Sequence, residues 1–416
     1  MESCNTESSL DLPLESLSLQ PFLQSLHKEQ WQEVRLGEVA EITSSKRIFY
    51  SEYVEYGIPF YRSKEIIEFS KGNNPQNELF IDENKYNDIA NKFGVPQEND
   101  ILLTSVGTLG IPYLVPKDKK FYFKDGNLTW FKNFKNITSL FLFYWFKSPQ
   151  GKEKLDSIAI GSTQQALTIQ GMKNLIFLLP PLIIQQKIAE ILSSFDDKID
   201  LLHRQNKTLE SLALTLFRHY FIDNPNRNEW ELGKLGDYVK IIDNRGKTPP
   251  FTTDITPYPL IEVNALSGDS MLINYDIVRK YVIKETYKKW FREHIKQHDV
   301  LFSTVGSIGE VAMLLDNKGC IAQNVIGFRA KEISPFYLYE WLKYMQQEIK
   351  EFDIGSVQPS IKVTHFMEKQ IYKPDSETLE SFNKQMLSIT NKISQNAKQI
   401  QNLQAMRDML LKAIFA

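Results

Sequence analysis

Two stretches of the chain repeat apolar residues at every seventh position. In the first stretch the repeating series are Ile188, Phe195, Leu202, Leu209 and Leu216, and Leu192, Ile199, Asn206 and Ala213. In the second they are Phe382, Ile389, Asn396, Leu403 and Leu410, and Met386, Ile393, Ile400 and Arg407. A sustained seam of this period is typical of helices that pair as a coiled coil. Because a folded domain between them brings the chain back, we expect antiparallel pairing. The alternative is two amphipathic helices that dock separately on their own domains.

Two amides interrupt this apolar seam. Antiparallel coiled coils oppose a positions to d positions, so Asn206 and Asn396 share a layer in the register that opposes Leu192 to Leu410. Arg407 then faces Phe195, where the guanidinium could lie over the ring or reach water. A slipped register would bury each amide without a partner, at a cost of about 1–3 kcal/mol. We therefore predict that Asn206 and Asn396 contact each other and fix the register.

Outside the two seams the chain changes to short apolar runs. Runs rich in Val, Ile, Phe and Tyr alternate with Gly, Pro and Asn, which predicts strands joined by turns. In residues 140–158 and 335–352 the aromatic side chains recur at spacings of three and four, which predicts helices. Each half of the chain therefore reads as a mixed α+β domain.

An internal repeat relates the two halves. The phrase WQEVRLGEVAEI begins at Trp31 and WELGKLGDYVKI at Trp230; NDILLTSVGTLG begins at Asn99 and HDVLFSTVGSIG at His298, with the same separation. GSTQQALTI from Gly161 matches GSVQPSIKV from Gly355 at a slightly shorter separation. We therefore expect an α+β fold of two pseudo-repeated domains separated by long helices that form an antiparallel coiled coil.

The repeat and the seams divide the chain into five segments. They are an N-terminal segment at 1–30, a first domain at 31–180, a first spacer helix at 181–223, a second domain at 224–374 and a second spacer helix at 375–416. The Leu- and Ser-rich N-terminal segment is expected to be partly disordered, with a short docking helix near residues 22–27.

Composition limits the class of protein. The charges nearly balance, with 49 Lys and Arg against 51 Asp and Glu, so any surface that binds nucleic acid must be a local patch. The two cysteines, Cys4 and Cys320, lie too far apart in sequence to form a CxxC pair, which fits a reducing cytoplasm. The longest apolar run, residues 140–146, is too short to span a membrane. We expect a cytoplasmic chain with no membrane partner.

The motifs of the obvious enzyme classes are missing from the sequence. An amino-methyltransferase needs Asn-Pro-Pro followed by an aromatic residue, but Asn74-Pro75 continues with Gln76 and Asn224-Pro225 with Asn226. No GxxxxGK[ST] phosphate loop occurs, and the six histidines lie apart from any zinc motif. The sequence predicts no catalytic residues, no metal site and no cofactor.

Several phrases resemble the specificity (S) subunits of Type I restriction-modification systems. They are LPPLIIQQKIAEIL from Leu179, the Trp-x4-Leu-Gly openings at Trp31 and Trp230, DNRGKTP from Asp243, NDILLTSVGTLG and the GSTQQ turn. The resemblance implies two target recognition domains that read a bipartite, asymmetric DNA site, one domain per half-site. It also implies the partners: double-stranded DNA, two methyltransferase subunits that dock on this chain, and restriction/translocase subunits.

Cations and amides in the predicted loops are candidate DNA contacts. Lys and Arg can neutralise phosphates or read guanine, whereas Asn and Gln can pair with adenine. The predicted DNA-binding residues are Lys46, Arg47, Arg62, Lys64, Thr104, Ser105, Asn127, Ser162, Gln164, Arg245, Lys247, Asn264, Ser303, Thr304, Asn324, Ser356 and Gln358. The amides among them could instead be turn formers or backbone caps. Arg62 and Lys64 align with Glu262 and Asn264, so the two domains are expected to read different sequences.

Two other functions remain open at this point. One is a coiled-coil scaffold for protein assembly, and the other is a single-chain DNA methyltransferase or nuclease with atypical motifs. Sequence-specific DNA binding would exclude the scaffold, and a methyl-transfer assay with and without a partner subunit would test the enzyme.

Overall fold

The chain folds into two compact units. The computed structural model describes residues 20–72, 75, 79–244, 246–266, 268, 270–351 and 360–416. The first unit comprises the described residues up to Asp200 together with Gln401–Ala416, and the second comprises those of Leu201–Ile400. Each unit therefore holds one mixed α+β domain and a part of each long helix.

The first unit is built around a buried four-stranded sheet. Its elements are α1 (Gln20–Gln24), β1 (Gln32–Arg35), α2 (Leu36–Val39), β2 (Glu41–Thr43), β3 (Tyr53–Val54), β4 (Ile58–Tyr61), α3 (Ser63–Ser70), β5 (Phe80–Ile81), α4 (Glu83–Phe93), β6 (Ile101–Thr104), β7 (Pro112–Leu114), β8 (Tyr122–Phe123), β9 (Leu128–Lys132), α5 (Ser139–Lys147), α6 (Pro149–Ser157), α7 (Ile169–Asn174), β10 (Ile176–Leu179) and the start of α8 (Leu182–Phe217). The main sheet has the order β2-β9-β6-β7, a second sheet has the order β3-β5-β4-β8, and β1 pairs with β10. All four residues of β6 are buried, which explains its continuous apolar run.

The second unit repeats this plan. Beyond the end of α8, which continues as a π-helix (Arg218–Ile222), it contains β11 (Glu231–Lys234), α9 (Leu235–Tyr238), β12 (Val239–Ile242), β13 (Leu260–Ile261), α10 (Lys284–Trp290), β14 (Val300–Ser303), β15 (Val311–Met313), β16 (Cys320–Ile321), β17 (Val325–Ala330), α11 (Pro335–Tyr344), α12 (Gln346–Lys350), α13 (Val363–Phe366), β18 (Gln370–Lys373) and most of α14 (Ser376–Phe415). Its main sheet, β12-β17-β14-β15, matches that of the first unit strand for strand, and β11 pairs with β18 as β1 does with β10. The predicted duplication and the α+β class are confirmed.

The two helical stretches predicted in the domains are each divided in two. Ser148 separates α5 from α6, because Pro149 lacks a backbone N–H and the Ser148 hydroxyl accepts a hydrogen bond from the Gly151 N–H at 3.0 Å, starting a new helix. In the second unit Met345 separates α11 from α12. Their aromatic side chains lie in the cores, as the spacing predicts.

In each unit opposite ends of the two long helices pack together. In the first, Ile188 and Leu192 of α8 share a core with Leu410 and Ile414 of α14. In the second, the Gln385 amide near the start of α14 donates to the Tyr220 hydroxyl just beyond α8, at 2.6 Å. The antiparallel pairing predicted from the heptads is therefore confirmed.

The two seam amides are in direct contact. Nδ2 of Asn396 donates to Oδ1 of Asn206 at 2.8 Å and to Oε1 of Gln205 at 2.9 Å. Both side chains are buried, so the contact predicted from the sequence is present; its role in fixing the register stays a prediction. Arg407 pairs with an acidic side chain instead of the Phe195 ring. Its Nη1 donates to Oδ1 of Asp196 at 2.7 Å, because the residue after Phe195 offers a carboxylate within reach.

The short N-terminal helix begins and ends earlier than predicted. It covers Gln20–Gln24, and Leu26 beyond it is buried in the first core. The Lys28 ammonium then donates to the backbone oxygens of Ala413 and Ala416, at 3.1 and 2.9 Å, where the C-terminal end of α14 leaves carbonyls unpaired. The expected disorder of the N-terminal segment concerns residues 1–19, which lie outside the described residues.

Candidate nucleic-acid interface

The central strand of each main sheet ends in a turn of the same construction. The Thr104 hydroxyl accepts a hydrogen bond from the Ile111 N–H at 2.9 Å, and the Ser303 hydroxyl accepts one from the Glu310 N–H at 2.8 Å. The glycines of both turns, such as Gly110 with φ 72°, have a left-handed backbone that other residues rarely adopt. The two SVG-type phrases are therefore matching structural turns.

This construction gives a structural role to the four hydroxyl residues of these turns. The side chains of Thr104, Ser105, Ser303 and Thr304 are buried, and each is engaged in hydrogen bonds. Ser105, for example, lies 2.7 Å from the Thr129 hydroxyl. These side chains stabilise the turn from inside, and their contact with DNA stays a prediction.

Beside each turn, a parallel strand pair brings two loops to one edge. In the first unit β4 pairs with β8, and the Lys124 N–H donates to the Tyr61 carbonyl at 2.8 Å. In the second unit β13 pairs with β16, and the Ala322 N–H donates to the Ile261 carbonyl at 2.9 Å. Because parallel strands end at the same edge, the loop after one strand meets the loop after the other.

The central turn is tied to the same edge. The Ser105 N–H donates to the Asn127 carbonyl at 2.8 Å, and the Thr304 N–H donates to the Asn324 carbonyl at 2.9 Å. Both amides, singled out in the sequence, are thus held by their backbones at equivalent places. Their side chains are partly exposed.

In the first unit this edge carries cations. Lys46, Arg47 and Lys64 are exposed, and Lys46 is held in place by its N–H, which donates to the Tyr122 hydroxyl at 2.7 Å. Burial raises the pKa of Tyr122, so its phenol stays neutral and serves as acceptor here. The Lys46 ammonium lies 4.5 Å from the Phe93 ring centroid, and the Arg47 guanidinium lies 3.0 Å from an Asp125 oxygen.

Arg62 is oriented by a buried acid. Its guanidinium Nη2 lies 2.6 Å from Oε1 of Glu65, and its backbone N–H donates to Oε2 of the same carboxylate at 2.7 Å. Glu65 is only 2% exposed. The ion pair therefore fixes the guanidinium at the edge that Lys64 and Asn127 share.

In the second unit the same edge forms a cleft of about 340 Å³. Its lining consists of Thr248, Leu260, Glu262, Val263, Asn264, Lys280, Ala322, Gln323 and Asn324. The predicted contacts Asn264 and Asn324 meet here, and Lys247 is exposed on the adjoining loop. The sequence analysis did not identify Gln323 and Thr248 as site residues. The only indication in the sequence was that they neighbour Asn324 and Lys247. Nor did the sequence analysis connect Lys280 with this site.

The remaining predicted contacts divide into two groups. Ser162 and Gln164 are exposed on the loop between α6 and α7, and isolated bridges from Ala166 to Val106 and Ile160 bring this loop beside the turn after β6. Arg245, Ser356 and Gln358 lie outside the described residues.

The described residues lack the features of two other kinds of site. Across those ranges, no three His, Cys, Asp or Glu side chains gather as they would around a metal ion. None of the helices found there is long and apolar enough to cross a membrane.

Comparison with known proteins matches both halves of the chain to one family model. Residues 28–211 and 227–405 each match the Type I restriction modification DNA specificity domain. Each match takes in one domain and most of the long helix that follows it. The internal repeat is therefore a repeat of this domain.

Individual relatives agree with that match. The chain is 26% identical to the specificity subunit of the Type I restriction enzyme MjaIX of Methanocaldococcus jannaschii, covering 93% of both chains. It is 28% identical to a putative Type I specificity subunit of Haemophilus influenzae over 39% of this chain and 40% of that protein. The crystal structure of the Type I S subunit from M. genitalium has a TM-score of 0.56 at 18% identity, over 93% of this chain and 96% of that one, which shows the same fold.

Proposed function

We propose, from the premise that this chain belongs to the Type I restriction modification DNA specificity family, that it reads a bipartite, asymmetric DNA site with one domain per half-site. Chains of this family are non-catalytic specificity subunits, so the present chain supplies recognition and its partners supply chemistry.

The proposal rests on one observation: the two units share the same scaffold at this edge but carry different side chains on it. In both units a parallel strand pair and a central turn present the same loop edge. The side chains on that edge differ, with Arg62 and Lys64 in one unit where Glu262 and Asn264 occupy the other. A shared scaffold with different polar groups at matching positions is what reading two different half-sites requires.

The partners are part of the same proposal. Double-stranded DNA would lie against both loop edges, with Lys46, Arg47 and Lys247 near its phosphates. Two methyltransferase subunits would dock on the long helices and the flanking domain edges, and restriction/translocase subunits would complete the assembly. The site of action would be the cytoplasm.

A domain exchange tests the modular account. Residues 31–180 are replaced by the first domain of another family member, and the methylated sites of cells expressing the complete system are sequenced. One half of the recognised site should change, while the half read by residues 224–374 should stay the same. If both halves changed together, the assignment of one domain to each half-site would be wrong.

A further inference from the structure

The cleft of the second unit holds two side-chain amides without a hydrogen-bond partner. Among the described residues, no hydrogen bond reaches the side-chain amide of Asn264 or of Asn324, although both line the cleft. An asparagine amide offers a donor and an acceptor side by side. The major-groove edge of adenine offers the complementary pair, the N7 acceptor and the N6 amino donor.

In a third amide of the cleft, that of Gln323, the oxygen already accepts a hydrogen bond and the N–H donor remains. The Thr248 hydroxyl donates to Oε1 of Gln323 at 2.8 Å, so the Nε2 group is left to bind an acceptor. In the major groove an adenine–thymine pair presents such an acceptor in thymine O4, beside the adenine N6 and N7 groups.

The charges of the cleft cancel. The Lys280 ammonium and the Glu262 carboxylate, each about one-third exposed, lie 2.8 Å apart. Because this carboxylate is already paired with a cation, it is poorly suited to accept from cytosine N4, and no arginine among the described residues lines the cleft to read guanine. In the first unit the equivalent positions hold Lys64 and Arg62, the latter itself paired with Glu65.

We propose that the cleft reads an adenine–thymine pair in the second half-site, with the amide of Asn264 or of Asn324 directed to N6 and N7 of adenine and that of Gln323 to O4 of its thymine. This inference rests on the proposed function. The cleft volume of about 340 Å³ is large enough for groups on a base edge to enter.

The test uses the complete complex of this chain with its methyltransferase subunits. Methylation sequencing first defines the second half-site. Duplexes are then made in which each adenine of that half-site, on either strand and excluding the methylated one, is replaced by 7-deazaadenine, which lacks N7 but keeps base pairing. The wild-type complex should bind at least one of these duplexes about ten-fold more weakly.

The variants Asn264→Ala and Asn324→Ala connect that loss to the cleft. At least one of them should weaken binding to the unmodified site about ten-fold and should lose no further affinity on the critical 7-deazaadenine duplex. It should also discriminate less strongly between an adenine–thymine and a guanine–cytosine pair at that position. The matched control is Gln347→Ala, an exposed amide on α12 outside the cleft, which should bind as the wild type does.

Several results would overturn the inference. One is a second half-site with no adenine besides the methylated one. Another is unchanged affinity on every 7-deazaadenine duplex. A third is equal weakening of binding by both variants on all sequences, which would indicate phosphate contacts. The base analogues test wild-type protein, so a variant that fails to fold does not remove the test. A wild-type complex with no sequence preference would instead overturn the proposed function itself.

Discussion

The Glu340 carboxyl group lies on α11 in the core of the second unit, where it is almost fully buried. Burial, followed by the nearby Glu210 carboxylate, raises the pKa of Glu340 to about 8, and Lys343 opposes this only in part. The Glu210 carboxylate accepts hydrogen bonds from the Ser270 hydroxyl at 3.1 Å and from the Met271 N–H at 2.9 Å. The folded protein therefore favours a proton on Glu340.

This raised pKa predicts how stability depends on pH. The pKa of Glu340 is near 4.5 when unfolded and about 8 when folded, so its contribution to stability falls as pH rises through that window. Glu340→Gln should be more stable than the wild type at pH 8.5, by about 1–3 kcal/mol, and nearly equal at pH 5. Thermal unfolding at both pH values measures this. The control Glu380→Gln, on the exposed side of α14, should change neither value; an equal gain for Glu340→Gln at both pH values would contradict the assignment.

In the pair of long helices, the buried amide contact between Asn206 and Asn396 depends most on both partners being present. Replacing Asn206 by Leu leaves the fully buried Asn396 amide with Gln205 alone, because the 2.8 Å hydrogen bond to Asn206 is lost. We expect Asn206→Leu to lower the free energy of unfolding by about 1–3 kcal/mol. Chemical denaturation of the variant beside the wild type measures the loss.

The double variant separates register from stability. Asn206→Leu combined with Asn396→Leu should recover most of the lost stability, since an apolar layer suits the seam, while the register becomes less specific. Cysteines introduced at Leu202 and Ile400, which oppose each other in the predicted register, would report a slip through reduced disulfide formation. Full stability in the single variant would show that the amide contact contributes little.

The elements of the fold could be predicted from the sequence because their signals are local. The heptads predict α8 and α14, and the repeated Asn99 and His298 phrases predict matching strands and turns. The sequence could not show whether the side chains of Thr104 and Ser303 are exposed or buried, because a small polar residue before a glycine turn is compatible with both. The Asp196–Arg407 pair was missed for a different reason.

Asp196 is part of a cluster assembled only by the fold. Its Oδ2 accepts from the Tyr144 hydroxyl and from the Lys147 ammonium, both at 3.1 Å, while Oδ1 accepts from Arg407. Burial works to raise the pKa of Asp196, but Lys147 and Arg407 outweigh it and lower the value. These four residues come from three helices far apart in sequence, so no local pattern could associate them. The cleft of the second unit was hidden likewise, since Lys280 reaches it from a separate segment.

At the scale of the whole molecule, recognition and chemistry belong to different chains. We expect the purified chain alone to transfer no methyl group to DNA, and methylation of adenine to appear only when methyltransferase subunits are added. Incorporation of labelled methyl groups into duplex DNA measures both conditions. Methylation that stays with the isolated chain through rigorous purification would contradict this expectation.

The division of the long helices also sets an order of events during synthesis. The second unit is one continuous stretch, Leu201–Ile400, and needs no residue that is made after Ile400. The first unit has to wait, because Leu410, Leu411 and Ile414, all buried in its core, are translated last. Chains truncated after Ile400 should therefore resist protease in the second unit and be cut in the first, although the first is made earlier. Protection of the first unit in such chains would mean that it closes without its final helical segment.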